Sequence, residues 1–463
     1  MFRLVVWLFV LGAACKRDHQ AAPPEATTGP CAKAVGEGPL AWIADDYPAA
    51  VACARARHVP LVLDLWAPWC HTCLSMQTTV LMDPSFAADR SRFVFAKLDT
   101  DREQNAGPLE RLATSAWPTF YVIGNDDTVL ARFVGAASLA QFHEFIDAGL
   151  AATKGGADAA SAHLLSAERA LAVKDLTTAD TELTAGLAAA PESWPRRPAL
   201  LNSLILTKYR LANYAACMDV AMTYLDHLGD AAVASDFLAT GAQCADADQR
   251  PDQAARDKVL ILREASVTRW KRLLEQSKQL SIDDRSDAMA SLREALDKLG
   301  NKNEAREIAL AQLKLLDEAA AKAPTPLAAM TYNWPRAEVY TYLGMPLDLV
   351  PALEKSAADL PKEYDPPARL GWLYLQAEDY VKAAKWTDEA LALVYGPRKG
   401  RLLTQRADIA KGINDAVTEK RYRQDAVAVF ASLPKGQEAP DALEKAKAAL
   451  ADLDRAGSGG PPL

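Results

Sequence analysis

The sequence predicts two structural regions: an α/β domain over about residues 38–150 and an all-helical region over about 163–455. Three observations carry this reading. Short runs of aliphatic and aromatic residues at 61–66, 93–98, 119–123 and 129–134 have the length and composition of buried strands. After Lys154-Gly155-Gly156-Ala157 the chain turns to Ala, Leu, Glu and Lys, with aliphatic residues at helical spacing and breaks near Pro191, Pro195, Pro251, Pro324, Pro346, Pro361 and Pro397. Finally, 463 residues are enough for two to four domains at roughly 100 to 200 residues each. Half the residues are apolar, 24% are charged and the net charge is −8, which excludes a disordered chain and a polytopic membrane protein and makes nucleic acid an unexpected partner.

The chain begins with Arg3, an apolar run over residues 4–11 and a shrinking Gly12-Ala13-Ala14 before Cys15. This pattern reads as a secretory signal, and the apolar run is far shorter than the roughly 20 residues a spanning helix needs. Small residues running into a cysteine resemble a bacterial lipoprotein signal, with residues 1–14 removed and Cys15 lipidated. Gly12 stands where such signals usually carry a large aliphatic. An ordinary cleavage site and an uncleaved anchor are the other two readings. The expected location is the periplasmic side of the bacterial cell envelope, with the membrane touched only through the lipid anchor. Residues 15–37 lack a hydrophobic period and read as a flexible tether.

Within the α/β region, Gly124-Asn125-Asp126-Asp127 is a turn cluster that makes the last two strands an antiparallel hairpin. Ser138, with Gln141 three positions on, opens a helix that carries Leu139, Phe142, Phe145, Ile146 and Leu150 on one face. Residues 151–162 form the linker to the helical region, and 456–463 read as a disordered tail.

The chemistry is concentrated in Trp69-Cys70-His71-Thr72-Cys73, which follows a strand and opens a helix. A thiol at a helix N-terminus faces unpaired N–H groups and the positive end of the helix dipole, both of which favour the thiolate. Cys70 is therefore the expected nucleophile and Cys73, one turn on, the resolving thiol. Asp64 sits in the middle of an apolar strand, where burial raises a carboxyl pKa. Leu74 occupies the position that covalent haem attachment gives to histidine. There is also no second C-x-x-C or His pair for a structural zinc, so neither a metal nor a cofactor is expected.

The segment 64–73 resembles the active-site segment of thioredoxins, and the resemblance continues in order through 96–101, Trp117-Pro118-Thr119 and Val134-Gly135-Ala136. It implies a thioredoxin fold, a central mixed sheet flanked by helices, over about residues 40–150. Met82-Asp83-Pro84-Ser85-Phe86 is similar to the envelope-facing variety of the family. By this resemblance Asp64 exchanges the proton of Cys73, Lys97 tunes Asp64 by its charge, and Pro118 is cis and lies against the dithiol. A plain Asp64–Lys97 pair, a surface Lys97 and a trans Pro118 are the structural alternatives. Trp69, His71, Thr72, Trp117 and Thr119 flank these groups and are the expected substrate contacts. His71 either stabilises the Cys70 thiolate when protonated or is simply exposed.

In the helical region Leu370-Gly371, Tyr374, Tyr380, Ala383 and Ala390 resemble a tetratricopeptide repeat, with weaker echoes at Leu299-Gly300 with Ala305 and Leu343-Gly344 with Ala352. Such an array offers a concave face for a protein partner. Cys217 and Cys244 are either two buried small hydrophobes or a structural disulfide, and the pairing of Cys31 and Cys53 is equally open. The combined expectation is a thiol-disulfide oxidoreductase acting on protein disulfides with an upstream thiol donor or acceptor. The alternatives are a repeat-based binding or assembly factor and a redox sensor.

Overall fold

The computed structural model describes residues 29–114, 116–155 and 158–457. Cys15, the signal segment and residues 458–463 of the tail lie outside the described residues. Six strands form one sheet in the order β1-β2-β4-β3-β5-β6, with β1 Val35–Glu37, β2 Leu40–Ala44, β3 Leu61–Trp66, β4 Val94–Asp99, β5 Thr119–Ile123 and β6 Val129–Val134. The sheet is mixed: β3 lies between parallel β4 and antiparallel β5, and β5–β6 is the expected hairpin.

The strand period decides what each face meets. Leu61, Leu63 and Leu65 point to the face covered by α1 (Tyr47–Arg57), where Ala50, Cys53 and Ala54 pack with Ala96 and Leu98. Val62 points the other way, into a core with Met76 of α2 (His71–Thr78) and Phe142, Phe145 and Ile146 of a later helix. Between them α3 spans Ala106–Arg111, and that later helix, α4, spans Leu139–Ala152. The Ser138–Gln141 capping box closes α4 as expected.

The stretch expected to be a tether enters the domain before residue 38. Cys31 is bonded to Cys53 of α1, Lys33 pairs with Asp46, and β1 pairs with β2 at the edge of the sheet. All three residues of β1 are exposed. An edge strand with no buried face leaves no hydrophobic period to read, which is why the sequence hid it. The linker is also shorter than expected, because α4 runs to Ala152 and the next helix begins at Ala159.

From Ala159 the described residues are helical, and consecutive helices pack as antiparallel pairs. Examples are Ala159–Ala172 with Leu176–Ala189, Ile282–Lys298 with Lys302–Lys322, and Asp365–Gln376 with Tyr380–Leu393. The last pair contains the expected repeat unit: Leu370, Ala383 and Ala390 are buried, and a Cβ on Gly371 would collide with Thr387. Gly300 and Gly344 are not echoes of it. Both have positive φ just past helix ends, at +83° and +79°, so they terminate helices instead of letting two helices approach.

A different device recurs. Lys174, Ala212, Glu378 and Asn414 all take positive φ, and each is followed by a residue whose side chain caps the next helix: Asp175, Asn213, Asp379 and Asp415. Cys217 and Cys244 are bonded between the helices Tyr214–Tyr224 and Ala232–Ala247. Among the described residues no helix is long and apolar enough to cross a membrane.

The helical region closes back on the sheet domain. Gly396 (φ +59°) lies against the backbone of Asp101, and Gly436 (φ +89°) against the backbone of Ala106 and Glu110; a Cβ at either would strike main-chain atoms. Gln437 Nε2 donates to the carbonyls of Thr100 (2.7 Å) and Arg102 (2.8 Å).

Candidate active site

β3 delivers the site. Its polar member, Asp64, is 1% exposed and turns toward the α2 face, the same face as Val62. Two positions past the strand Pro68 and Trp69 turn the chain, and Cys70 becomes the N-cap of α2, its Sγ accepting from the amide of Cys73 at 3.0 Å. Cys70 and Cys73 are joined as a disulfide, and they are 5% and 1% exposed. Cys70 lines a cavity whose lining does not include Cys73.

Asp64 accepts from Gln77 Nε2 at 3.1 Å through Oδ2, while its Oδ1 has no hydrogen-bond partner among the described residues. Burial pushes its pKa up to about 7, against smaller lowering effects of the Gln77 hydrogen bond and the Lys97 charge. Lys97 is opposite Asp64 in the β3–β4 register, but its ammonium pairs with Glu37 at 2.7 Å. The alternative of a direct Asp64–Lys97 pair is not what forms, because β1 brings a carboxylate within reach of the lysine; the Lys97 charge acts on Asp64 through space.

Trp117-Pro118 is a cis peptide. Trp117 packs edge-on against Trp69 at 5.1 Å, both beside the disulfide, and donates through Nε1 to Thr100 at 2.8 Å. Thr119 departs from its expected role as a substrate contact. Its side chain is fully buried, with the hydroxyl donating to Ala116 O at 2.7 Å, so only the other four candidates line open space.

His71 is neither exposed nor free. Its Nδ1 lies 3.0 Å from both carboxylate oxygens of Asp283, and its Nε2 lies 3.9 Å from Asp287, both on the helix Ile282–Lys298. Burial alone would lower its pKa, but the charges of Asp283 and Asp287, the Asp283 hydrogen bond and Glu338 outweigh it and raise the value to about 10. One ligand atom from each of His71, Asp283 and Asp287 lies within 4.8 Å of the others, a grouping the sequence reading did not foresee. The short His71–Asp283 hydrogen bond already accounts for its closest pair.

The other side of the dithiol is held by a second set of contacts, one within the sheet domain and the rest from the helical region. Trp69 Nε1 donates to Asp101 at 2.8 Å, Tyr364 lies 3.5 Å from the same carboxylate, and Tyr395 donates to Asp99. Asp99 is 1% exposed, and its pKa is pushed up to about 7 by burial and the nearby Asp101 charge, against the Tyr395 hydrogen bond. Arg369 reaches the Trp69 carbonyl at 3.4 Å, and the Arg398 guanidinium lies 5.2 Å above the Trp69 ring.

These contacts leave two cavities. One, of about 850 Å³, has Trp69, Cys70, His71, Thr72 and Trp117 on one side and Trp334, Trp372 and several arginines on the other. The second, of about 390 Å³, shares Thr72 and Trp117 but is lined by Asp236, Asp284 and Asp287. Cys70 opens only to the first.

Asp283, Arg369, Arg398 and Tyr395 carried no sequence signal, since each lies more than 200 positions from the segment it meets. Gln77 was the one legible omission: at four residues past Cys73 it shares a helix face with it.

Residues 41–124 match a family model described as thioredoxin-like. Among solved structures, a tetratricopeptide repeat protein from Parabacteroides merdae aligns over 64% of this chain and 99% of its own, at 13% identity and a TM-score of 0.42. BtubC from P. vanneervenii aligns over 55% and 94%, at 14% identity and a TM-score of 0.31. The chain thus carries a thioredoxin-like domain, followed by a long all-helical region.

Proposed function

We propose that the protein is a thiol-disulfide oxidoreductase in which Cys70 is the nucleophile and Cys73 the resolving thiol. The observation that carries this is the arrangement at the start of α2: an N-capping Cys70 bonded to Cys73, above the buried Asp64 and open to a cavity. In the reducing direction the Cys70 thiolate attacks a substrate disulfide, forming a mixed disulfide and expelling one substrate thiolate. Cys73 then loses its proton to Asp64, and its thiolate attacks the Cys70 sulfur. The second substrate thiolate leaves, and the Cys70–Cys73 disulfide remains. An upstream thiol donor returns two electrons for the next cycle. Asp64 suits the proton step because its pKa of about 7 leaves both forms populated near neutrality.

The test is reduction of 2-hydroxyethyl disulfide with dithiothreitol as donor, by the full chain and by Cys70→Ser. Activity in the native chain and its loss in the variant are expected. Equal rates in the two would remove the enzymatic reading.

A second reading is favoured by one observation: the dithiol lies under the helical region, with His71 and Ser75 of α2 contacting Asp283 and Ser281. In it the redox state of the pair is reported to the repeats and alters their binding of a protein partner. Absence of turnover, together with a change in amide exchange of the helix Ile282–Lys298 on reduction, would select this reading.

We place the protein in the bacterial envelope, anchored through lipidated Cys15. Three bonded cysteine pairs suit an oxidising compartment. Incorporation of labelled palmitate, lost in Cys15→Ser, tests this.

A further inference from the structure

The larger cavity carries an uneven charge. Five of its lining residues are cationic, Arg369, Arg398, Arg401, Arg423 and Lys445, and among the described residues none is Asp or Glu, in a chain whose net charge is −8. Two of these cations are already paired, Arg369 with Asp365 at 2.7 Å and Arg423 with Glu419 at 2.6 Å. Arg398, Arg401 and Lys445 make no direct ion pair among the described residues, although Asp101 lies close enough to feel the charges of Arg398 and Arg401. Arg398 instead stacks over Trp69, next to the reactive cysteine, and its buried Nε has no hydrogen-bond acceptor.

The tryptophans Trp69, Trp117, Trp334 and Trp372 add flat apolar surface around the same space. At about 850 Å³ the cavity is sized for a small molecule or a short chain segment. The cavity on the other side of Trp117 has a mixed lining, Arg210 with Asp236, Asp284 and Asp287, so the cationic excess belongs to the larger cavity alone.

We infer that the substrate of this site is an anionic disulfide, one whose sulfurs are flanked by carboxylates, bound with its acidic groups against Arg398 and Arg401 and its disulfide at Cys70. This rests on the oxidoreductase reading. The exchange is the two-step sequence given above: the two electrons of the dithiol reduce the substrate disulfide to two thiols, and a dithiol reductant restores Cys70 and Cys73. Carboxylates beside a disulfide slow attack by a free thiolate through like-charge repulsion, so cationic lining removes a barrier that such substrates carry in solution.

The experiment compares three small disulfides with the full chain and dithiothreitol: dithiodiglycolate (dianion), 2-hydroxyethyl disulfide (neutral) and cystamine (dication). Each rate is divided by that of dithiothreitol alone. The dianion is expected to exceed the neutral compound by at least about tenfold, with the dication slowest and the spread shrinking in high salt. Arg401→Glu, at an exposed position, and Arg398→Gln should each lower the dianion-to-neutral ratio by at least about fivefold. Equal normalised rates, or a preference for cystamine, would overturn the inference while leaving the enzymatic reading intact.

Calorimetry with the S-methylated peptides Glu-Cys-Glu and Lys-Cys-Lys, which cannot react, decides the charge preference even if no disulfide turns over. Binding of the acidic peptide alone, lost in Arg401→Glu, supports the site; equal or absent binding of both overturns it. A normalised rate for the cystine dimer of Glu-Cys-Glu above that of dithiodiglycolate assigns the ligand to a polypeptide segment, and an equal one to a small molecule; either supports the site.

Discussion

His71 Nδ1 lies 3.0 Å from Asp283, a residue 212 positions further along the chain, so the residue between the two cysteines is also the tie between the two halves of the protein. Asp283 is 1% exposed, and removing its partner leaves a buried carboxylate unpaired. His71→Ala is expected to cost about 3 kcal/mol in denaturant unfolding. The sign of the pH dependence follows from the raised pKa of about 10: the stabilisation is full below the ordinary histidine value of about 6.5 and fades as pH rises through 10. An unfolding series from pH 6 to pH 10.5 on native chain and variant checks it; a constant difference would contradict it.

Asp64 changes stability in the same direction with pH, but as a penalty and in a lower window. Its pKa of about 7 lies above the unfolded value, so folding is unpenalised below about pH 4 and penalised increasingly up to pH 7. Asp64→Asn in the oxidised protein is expected to be more stable at pH 8 by on the order of 4 kcal/mol, and about equally stable at pH 4. The same variant should slow the Cys73 step by about a hundredfold at pH 7, read as accumulated mixed disulfide in quenched samples.

Tyr395→Phe removes one donor from buried Asp99. The carboxylate pKa should rise further, and thermal unfolding at pH 8 should show a loss of about 1 to 2 kcal/mol. Faster proteolysis of the helical region in the variant would show that this bond holds the two regions together.

The Cys217–Cys244 bond closes a loop of 27 positions. The double Ser variant is expected to lose about 3.5 kcal/mol, from the chain entropy returned to the unfolded state. Peptide mapping without reductant checks the pairing itself, and free thiols at both positions would contradict it.

Gly371 faces Thr387 across a helix pair. Gly371→Ala should therefore destabilise by about 1 to 3 kcal/mol by overpacking, despite alanine's better helix propensity. Thermal unfolding with Thr387→Ala in the same chain should recover much of the loss.

The sheet domain was legible because each buried strand writes its face in alternation, and because the chemistry of Cys70, Cys73 and Asp64 is local: strand, turn and helix start lie within ten residues. β1 was illegible because it buries nothing. The repeats were half legible. The Gly371 pair has the small residues that close packing demands, whereas the recurring turn of Glu378-Asp379 and Asn414-Asp415 uses residues that look like any polar loop. The cavity could not be read at all, since Arg398 meets Trp69 only after the chain folds back over more than 300 residues.

Gly396 and Gly436 set main chain directly against main chain, with no side chain between them to slide or repack. A joint of that kind leaves no room for a side chain at either position. The cysteine pair is therefore a fixed workpiece and not a head on a swinging arm: its reach ends at the mouth of its own cavity, and on the oxidoreductase reading proposed above every electron donor and acceptor would travel to it.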